Sequence, residues 1–312
     1  MALLRSSALS ALFVTLIGCA GGASGPGPGT SVEDGCPGYQ GSGGTAAQEA
    51  VDRLGCYRAL MGLTPAVQVP TLSAAAEAHA RYMAATDDFS HDEADPDHPA
   101  FTGAGPGERA AAQGFVTDGA VEGVHEVIAF HDAGADPAAS LDTWMRTIYH
   151  REPLTTPGPV EVGFGSAGIY SVMLVVLSWE AEGALEVGLY PADGQGAVGR
   201  TFDSDTETPD PLPQHGVVGL PITATVLDRG WQDGNDPYGL VIDRAASSLR
   251  DAASGAEHEV LFFEPRSEPH LLRTIALIPR TPLPGERTWE VSLSFESGGA
   301  ERSVRWAFAT GP

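Results

Sequence analysis

Five of the nine histidines stand between residues 91 and 150: His91, His98, His125, His131 and His150. Glu126 lies among them, and Asp87, Asp88, Asp92, Glu93, Asp95 and Asp97 crowd around His91. A neighbouring carboxylate favours protonated imidazole, whereas a bound metal takes the neutral ring. The cluster therefore admits two readings, a divalent-metal site or a set of histidine–carboxylate pairs. Spacing does not choose between them. His125-Glu126 is not followed by a histidine at the interval of a helical metalloprotease motif. Nucleophilic chemistry fares worse. Ser90 and His91 are adjacent, so their side chains diverge, and no Gly-x-Ser-x-Gly elbow occurs. Cys56 falls on the core face of an expected helix.

The elements that must position these groups can be read from periodicity. Thr45-Ala-Ala-Gln48 has the form of a capping box, and Val51, Leu54, Arg58 and Met61 follow at helical spacing up to Gly62. A second helix is expected over Thr71–Ala85, with Leu72, Ala75, Ala76, His79, Tyr82 and Met83 on one face. A third is expected over Asp136–Arg151, with Leu141, Trp144, Met145 and Ile148 as its apolar stripe. Between the second and third helices the sequence is irregular and rich in Gly, Asp and His. Strands are expected at Val160–Phe164 and Tyr170–Trp179, the latter continuous enough in Val, Leu and Met to be buried on both faces. Helices followed by paired strands predict an α+β, αβα arrangement. On these terms His79 is a helix residue satisfied in the core, His98 a solvated loop residue, Trp144 core, and Arg109 and Arg151 structural ion-pair partners.

Beyond Gly183 the pattern changes. Short β-like runs recur at Pro221–Leu227, Gly239–Ile242, His258–Glu264, Leu272–Ile278, Thr288–Phe295 and Ser303–Ala309, which predicts an all-β sandwich. Asp203-Ser-Asp205-Thr-Glu207 places acids at alternate positions but lacks the glycine and distal Glu of a calcium loop, so it reads as a solvated acidic loop.

A hydrophobic content of 42% supports real cores, and the charge is far from balanced, at −24. All 17 bases are arginine. Residues 45–180 hold six bases against 19 acids, and residues 181–312 hold ten against 20. Both halves repel phosphates, which disfavours nucleic acid as a partner and an electrostatic grip on anionic lipid heads. Cations fit better.

The chain opens with Arg5 and an apolar run from Ala8 to Ile17, too short to span a bilayer. Leu16-Ile17-Gly18-Cys19 resembles the lipobox of bacterial lipoproteins. The resemblance implies that Cys19 is acylated, that the mature chain is anchored to the cell envelope without crossing a membrane, and that the membrane is the outer one if the host is Gram-negative. Cys36 and Cys56 are then an even pair in an exported protein, a candidate disulfide. Residues 20–44, rich in Gly, Ser and Pro, read as a tether.

Residues 45–179 resemble the CAP (or SCP) superfamily of cysteine-rich secretory, antigen 5 and pathogenesis-related 1 proteins, in its bacterial form. The likeness runs in order through Tyr57-Arg58, Gly62-Leu63, Leu72 with Ala75-Ala76, His79 and Tyr82-Met83, Phe89-Ser90-His91, Gly114-Phe115, His125-Glu126-Val127-Ile128, Trp144, Tyr149-His150-Arg151 and Val162-Gly163-Phe164-Gly165. It implies an αβα sandwich with a central cleft lined by His91, Glu126 and His150, holding a divalent cation, zinc foremost, or a lipid, peptide or glycan ligand. His125 and His131 are auxiliary candidates. The family's second glutamate would fall at Thr147, and its Gly-Glu-Asn reads His125-Glu126-Val127 here. The closing Trp306-Ala-Phe308-Ala-Thr310 resembles bacterial immunoglobulin-like domains.

The expected organisation is a signal peptide over 1–18, a tether over 19–44, a CAP domain over 45–183, a linker over 184–213 and an immunoglobulin-like sandwich over 214–312. The leading functional expectation is an envelope protein that binds a cation or a small or extended ligand. The alternatives are a metal-dependent hydrolase with Glu126 as ligand or base, and a structural or adhesion module in which the three residues only hold the fold.

Overall fold

The computed structural model describes residues 35–116, 121–178, 185–228 and 239–312. The signal run and Cys19 lie outside them.

Helix α1 spans Ala46–Leu60, and Thr45 caps it by accepting from Gln48 N at 3.3 Å. The expected capping box is only half made, because Gln48 Nε2 donates to Asp52 Oδ1 at 2.7 Å instead of reaching back. Glu49 ties down the entering chain: it accepts from Ser42 N at 2.8 Å, Gly43 N at 2.5 Å and Tyr39 Oη at 2.5 Å. Cys36 and Cys56 are joined by a disulfide with Cα atoms 6.2 Å apart, which fastens this segment to α1.

Strand β1 (Val67–Gln68) leads into α2 (Pro70–Thr86), whose proline occupies the first turn, where its missing N–H costs nothing. The helix buries Leu72, Ala75, Ala76, His79, Ala80, Tyr82 and Met83, the face that periodicity predicts. The stretch read as irregular contains two further elements, α3 (Pro106–Ala112) and β2 (Val121–Phe130). β3 (Val160–Ala167) and β4 (Tyr170–Ser178) form a hairpin, and the sheet order is β1-β3-β4-β2. β1 runs parallel to β3, and the other neighbours are antiparallel. Side chains of β4 alternate between two cores. Val172, Leu174 and Val176 join Leu72, Ala76, Met83 and Ala110 on one side, while Met173, Val175 and Leu177 join Leu54, Leu141 and Trp144 on the other. The result is the expected αβα layering.

The third expected helix is not continuous. A 3₁₀ turn at Pro137–Ala139 leads into α4 (Ser140–Arg146), the chain extends at Thr147, and α5 (Arg151–Thr155) follows. Apolar spacing carried on through Ile148, but the amides of residues 148–150 hydrogen-bond to a distant carboxylate and not to the preceding turn.

The C-terminal region is all β. β5 (Glu186–Tyr190) lies within the stretch expected as linker, because its backbone pairs with β8 (Ile222–Leu227). β6 (Phe202–Asp203) and β7 (Val217–Val218) form a small ribbon. β9 (Leu240–Ile242), β10 (Ser248–Asp251), β11 (Glu257–His258), β12 (Val260–Phe263), β13 (Thr274–Pro279), β14 (Thr288–Ser297) and β15 (Ala300–Ala309) follow. One sheet runs β12-β13-β8-β5, and another runs β11-β10-β14-β15 with β9 on β14. Their facing side chains, among them Ile222, Ile275, Val291, Phe295, Trp306 and Phe308, belong to the same apolar cluster as Leu54 and Trp144.

α2 crosses β3 at unusually close range. A Cβ on Gly163 would lie 2.2 Å from Leu72 C, and one on Gly165 would lie 2.1 Å from Glu77 N. Backbone meets backbone at both positions, so a single methyl forces the layers apart. Gly165→Ala is expected to destabilise the chain by about 1–3 kcal/mol or more in urea unfolding. Gly107→Ala in α3, where an added Cβ meets nothing within 4 Å, is the control and should be neutral or mildly stabilising.

Candidate functional site

The interior between α2, α3 and β2 is unusually polar. α2 carries His79, the turn after it carries His91 and Glu93, α3 carries Arg109 and β2 carries Glu126. All five are buried. An ionised carboxylate in such a place must be surrounded by donors. Glu126 Oε1 accepts from His91 Nδ1 at 2.8 Å, Oε2 accepts from Arg109 Nη2 at 2.7 Å, and His79 Nε2 lies 3.6 Å from Oε1. Burial raises the Glu126 pKa, but the charges of His79 and Arg109 and the His91 hydrogen bond outweigh it, and the group is held down at about 2. Glu93 accepts from Thr102 N at 2.5 Å and Gly103 N at 3.3 Å and pairs with His79 Nδ1 at 3.1 Å. Burial raises its pKa too, and the His79 and Thr102 hydrogen bonds bring it below the usual range. The other nitrogen of His79, Nε2, is 2.9 Å from Ser90 O, so both nitrogens face acceptors, an arrangement suited to a ring donating from both. Arg109 also donates to Ala104 O at 3.0 Å, closing the loop before α3. Two carboxylates thus share one guanidinium and one imidazole between them.

Burial lowers the pKa of His91, partly offset by the Glu126 hydrogen bond. The ring is therefore neutral at pH 7, with its proton on the nitrogen that faces Glu126. Its Nε2 is buried without a hydrogen-bond partner. His150, on the turn between α4 and α5, is close enough for its charge to depress His91 further. Its Nδ1 lies 3.0 Å from Glu207 Oε1 and 3.4 Å from Thr147 Oγ1.

The structure thus brings His91 and Glu126 into direct contact and sets His150 nearby. It does not arrange the three as a ligand set. Both oxygens of Glu126 are taken by His91 Nδ1 and Arg109. Among the described residues no group of three or more His, Cys, Asp or Glu is placed to hold a metal ion. A zinc site using Glu126 as a ligand does not fit this geometry, since the ion would have to compete with a guanidinium for the carboxylate. His125 precedes Glu126 on β2, and strand alternation turns it to the opposite face. His131 lies past the end of β2, with Nδ1 3.1 Å from Asp132 O. Neither belongs to the polar interior. His98, expected in solvent, is partly buried, accepts from Ala100 N at 3.2 Å and packs edge-on to Tyr82. Arg109 makes its expected ion pair. Arg151 instead donates to Met145 O and Pro221 O, both at 2.7 Å, and stacks over Tyr190. Glu93, one of the acids expected around His91, pairs with His79 instead. Glu207 was missed, since it stood within the supposed acidic loop. No local signal separates either from its exposed neighbours.

Residues 51–176 match the family model for CAP, the cysteine-rich secretory protein family. An extracellular protein containing a SCP domain from Bacillus anthracis str. Ames, known from its crystal structure, is similar at 20% identity and a TM-score of 0.35. The similarity covers 42% of this chain and 40% of that one, so this chain spans less than half the length of that relative. Comparison with curated proteins gives no significant match.

Removing the cation from Glu126 leaves a charge buried and half-satisfied. Arg109→Met should cost about 3–5 kcal/mol in urea unfolding. The pH dependence follows from the directions above. His91 is depressed from 6.5, so the stability it confers is complete above 6.5 and is lost as pH falls below that value. Glu126 is depressed from 4.5 to about 2, and its contribution is lost over that lower range. Urea midpoints of the full chain should therefore fall in two stages on acidification. A midpoint that stays flat from pH 7 to pH 4.5 would contradict the His91 assignment, and one that stays flat from pH 4 to pH 2 that of Glu126.

Proposed function

We propose that this chain, whose residues 51–176 are a CAP domain, is an exported, lipid-anchored envelope protein that works by binding and presentation, not by hydrolysis. The observation that carries this reading is the state of Glu126. A general base needs a carboxylate oxygen open to a water and a proton affinity near the working pH. Glu126 has both oxygens engaged and is held down at about 2. Such a group serves as a fixed anion that orients its neighbours.

Export is supported by the Cys36–Cys56 disulfide, which persists in oxidising compartments. Acylation at Cys19 and the Gly-rich tether would hold the folded part off the membrane. The αβα layers would carry the recognition surface for a lipid, peptide or glycan, and the β region, read as immunoglobulin-like, would space or present them.

One observation favours a second reading, a cation or small ligand in the interior. His91 Nε2 is a buried nitrogen with no hydrogen-bond partner, and the neutral ring turns its lone pair there. Zinc held by imidazole, without Glu126, is the form this would take.

Two measurements test these readings. Labelled palmitate should enter the full chain and be absent from Cys19→Ala, which should leave the membrane fraction; an unlabelled wild type removes the anchor. Calorimetric titration with zinc at neutral pH should give no stoichiometric binding. A stoichiometric site abolished in His91→Gln would overturn the metal-free reading, and peptide or ester hydrolysis abolished in Glu126→Gln would overturn the non-catalytic one.

A further inference from the structure

Glu207 belongs to the C-terminal region, yet it is 1% exposed and reaches into the turn that carries His150. Its two oxygens meet four donors. Oε2 accepts from Ile148 N at 2.9 Å. Oε1 accepts from Tyr149 N at 2.7 Å, His150 N at 3.4 Å and His150 Nδ1 at 3.0 Å. The guanidinium of Arg151 stands near enough for the two charges to attract. We infer that Glu207 is the positioning acid of His150, lent to the CAP domain by the β region, so that the interior of residues 51–176 is complete only with that region docked.

Three arguments carry this. First, a turn with three amides and one imidazole N–H pointing inward needs an acceptor-only group with two oxygens. Carboxylate is that group, and an amide side chain brings donors of its own. Second, a ring whose Nδ1 faces a carboxylate keeps its proton on Nδ1, which fixes the tautomer. His91, with Nδ1 toward Glu126, is fixed in the same way. Thr147 Oγ1 does not duplicate this role: it stands at 3.4 Å and gives its own hydrogen to Trp144 O at 2.8 Å. Third, the exchange across the junction is mutual. Glu152 of α5 accepts from Leu272 N at 3.0 Å and Arg273 N at 3.2 Å in the β region, as Glu207 accepts from Ile148 and Tyr149. Each side satisfies buried amides of the other. The inference does not depend on whether the interior takes a ligand.

The test uses the full chain with ¹⁵N-labelled histidine, measured on the alkaline plateau where the His150 signals no longer change with pH, together with amide hydrogen exchange. In the wild type His150 should carry its proton on Nδ1. In Glu207→Gln that preference should give way to a mixture, and exchange at Ile148 and Tyr149 should quicken by about tenfold or more. The His91 signals should be unchanged, which separates the effect from general loosening. A wild-type His150 protonated on Nε2 would overturn the assignment. So would a folded Glu207→Gln chain that keeps both the tautomer and the exchange rates. If Glu207→Gln does not fold, the wild-type tautomer decides.

Discussion

Glu126 is a carboxylate enclosed by α2, α3 and β2, and an ionised group in that position can exist only with donors built around it. Much of the surrounding architecture follows from that need. Arg109 faces Glu126 because α3 lies against β2, and the loop before α3 is closed by the same guanidinium. His91 is aimed by the turn after α2, and His79 spans the space between Glu126, Glu93 and the backbone at Ser90. Such a cluster is no stronger than well-packed aliphatic side chains would be, but removing one member strands the others. It specifies one arrangement of three elements.

The same rule shapes the junction with the β region. Backbone amides at 148–150 have no helical partners, because the chain extends at Thr147 and breaks the expected helix. A buried amide needs an acceptor, and Glu207 provides it from the other side of the junction. Glu152 answers with its own carboxylate, Arg151 donates to Pro221 O, and Thr155, Thr225 and Thr274 form a hydroxyl chain with contacts of 2.8 and 3.0 Å. An apolar cluster runs through both halves. Buried polar exchange of this kind resembles the inside of a domain more than a loose interdomain contact.

This has a bearing on function. Of the residues that family likeness marks as cleft-lining, His91 and Glu126 are buried in contact with each other, and His150 is buried against Glu207. Chemistry that needs a free base finds none at Glu126, whose two oxygens are engaged by His91 and Arg109.

Much of the fold was legible in the sequence, because it rests on short-range pattern. The face of α2, the two-sided burial of β4 and the succession of short strands after Gly183 are all written in local periodicity and side-chain size. The pairing of Cys36 with Cys56 followed from counting thiols once Cys19 was set aside. The fates of the acids were not legible. Asp92 and Glu93, or Asp205 and Glu207, look alike in sequence, yet Glu93 and Glu207 are buried and Asp92 and Asp205 are not. β2 and α3 were hidden by a Gly-, Asp- and His-rich composition, and β5 by the prolines that follow it. Composition and period determine what one segment does with its own neighbours. Whether a carboxylate is buried depends on donors that approach from elsewhere in the chain, such as Arg109 for Glu126 and the 148–150 amides for Glu207, and only the tertiary structure brings those together.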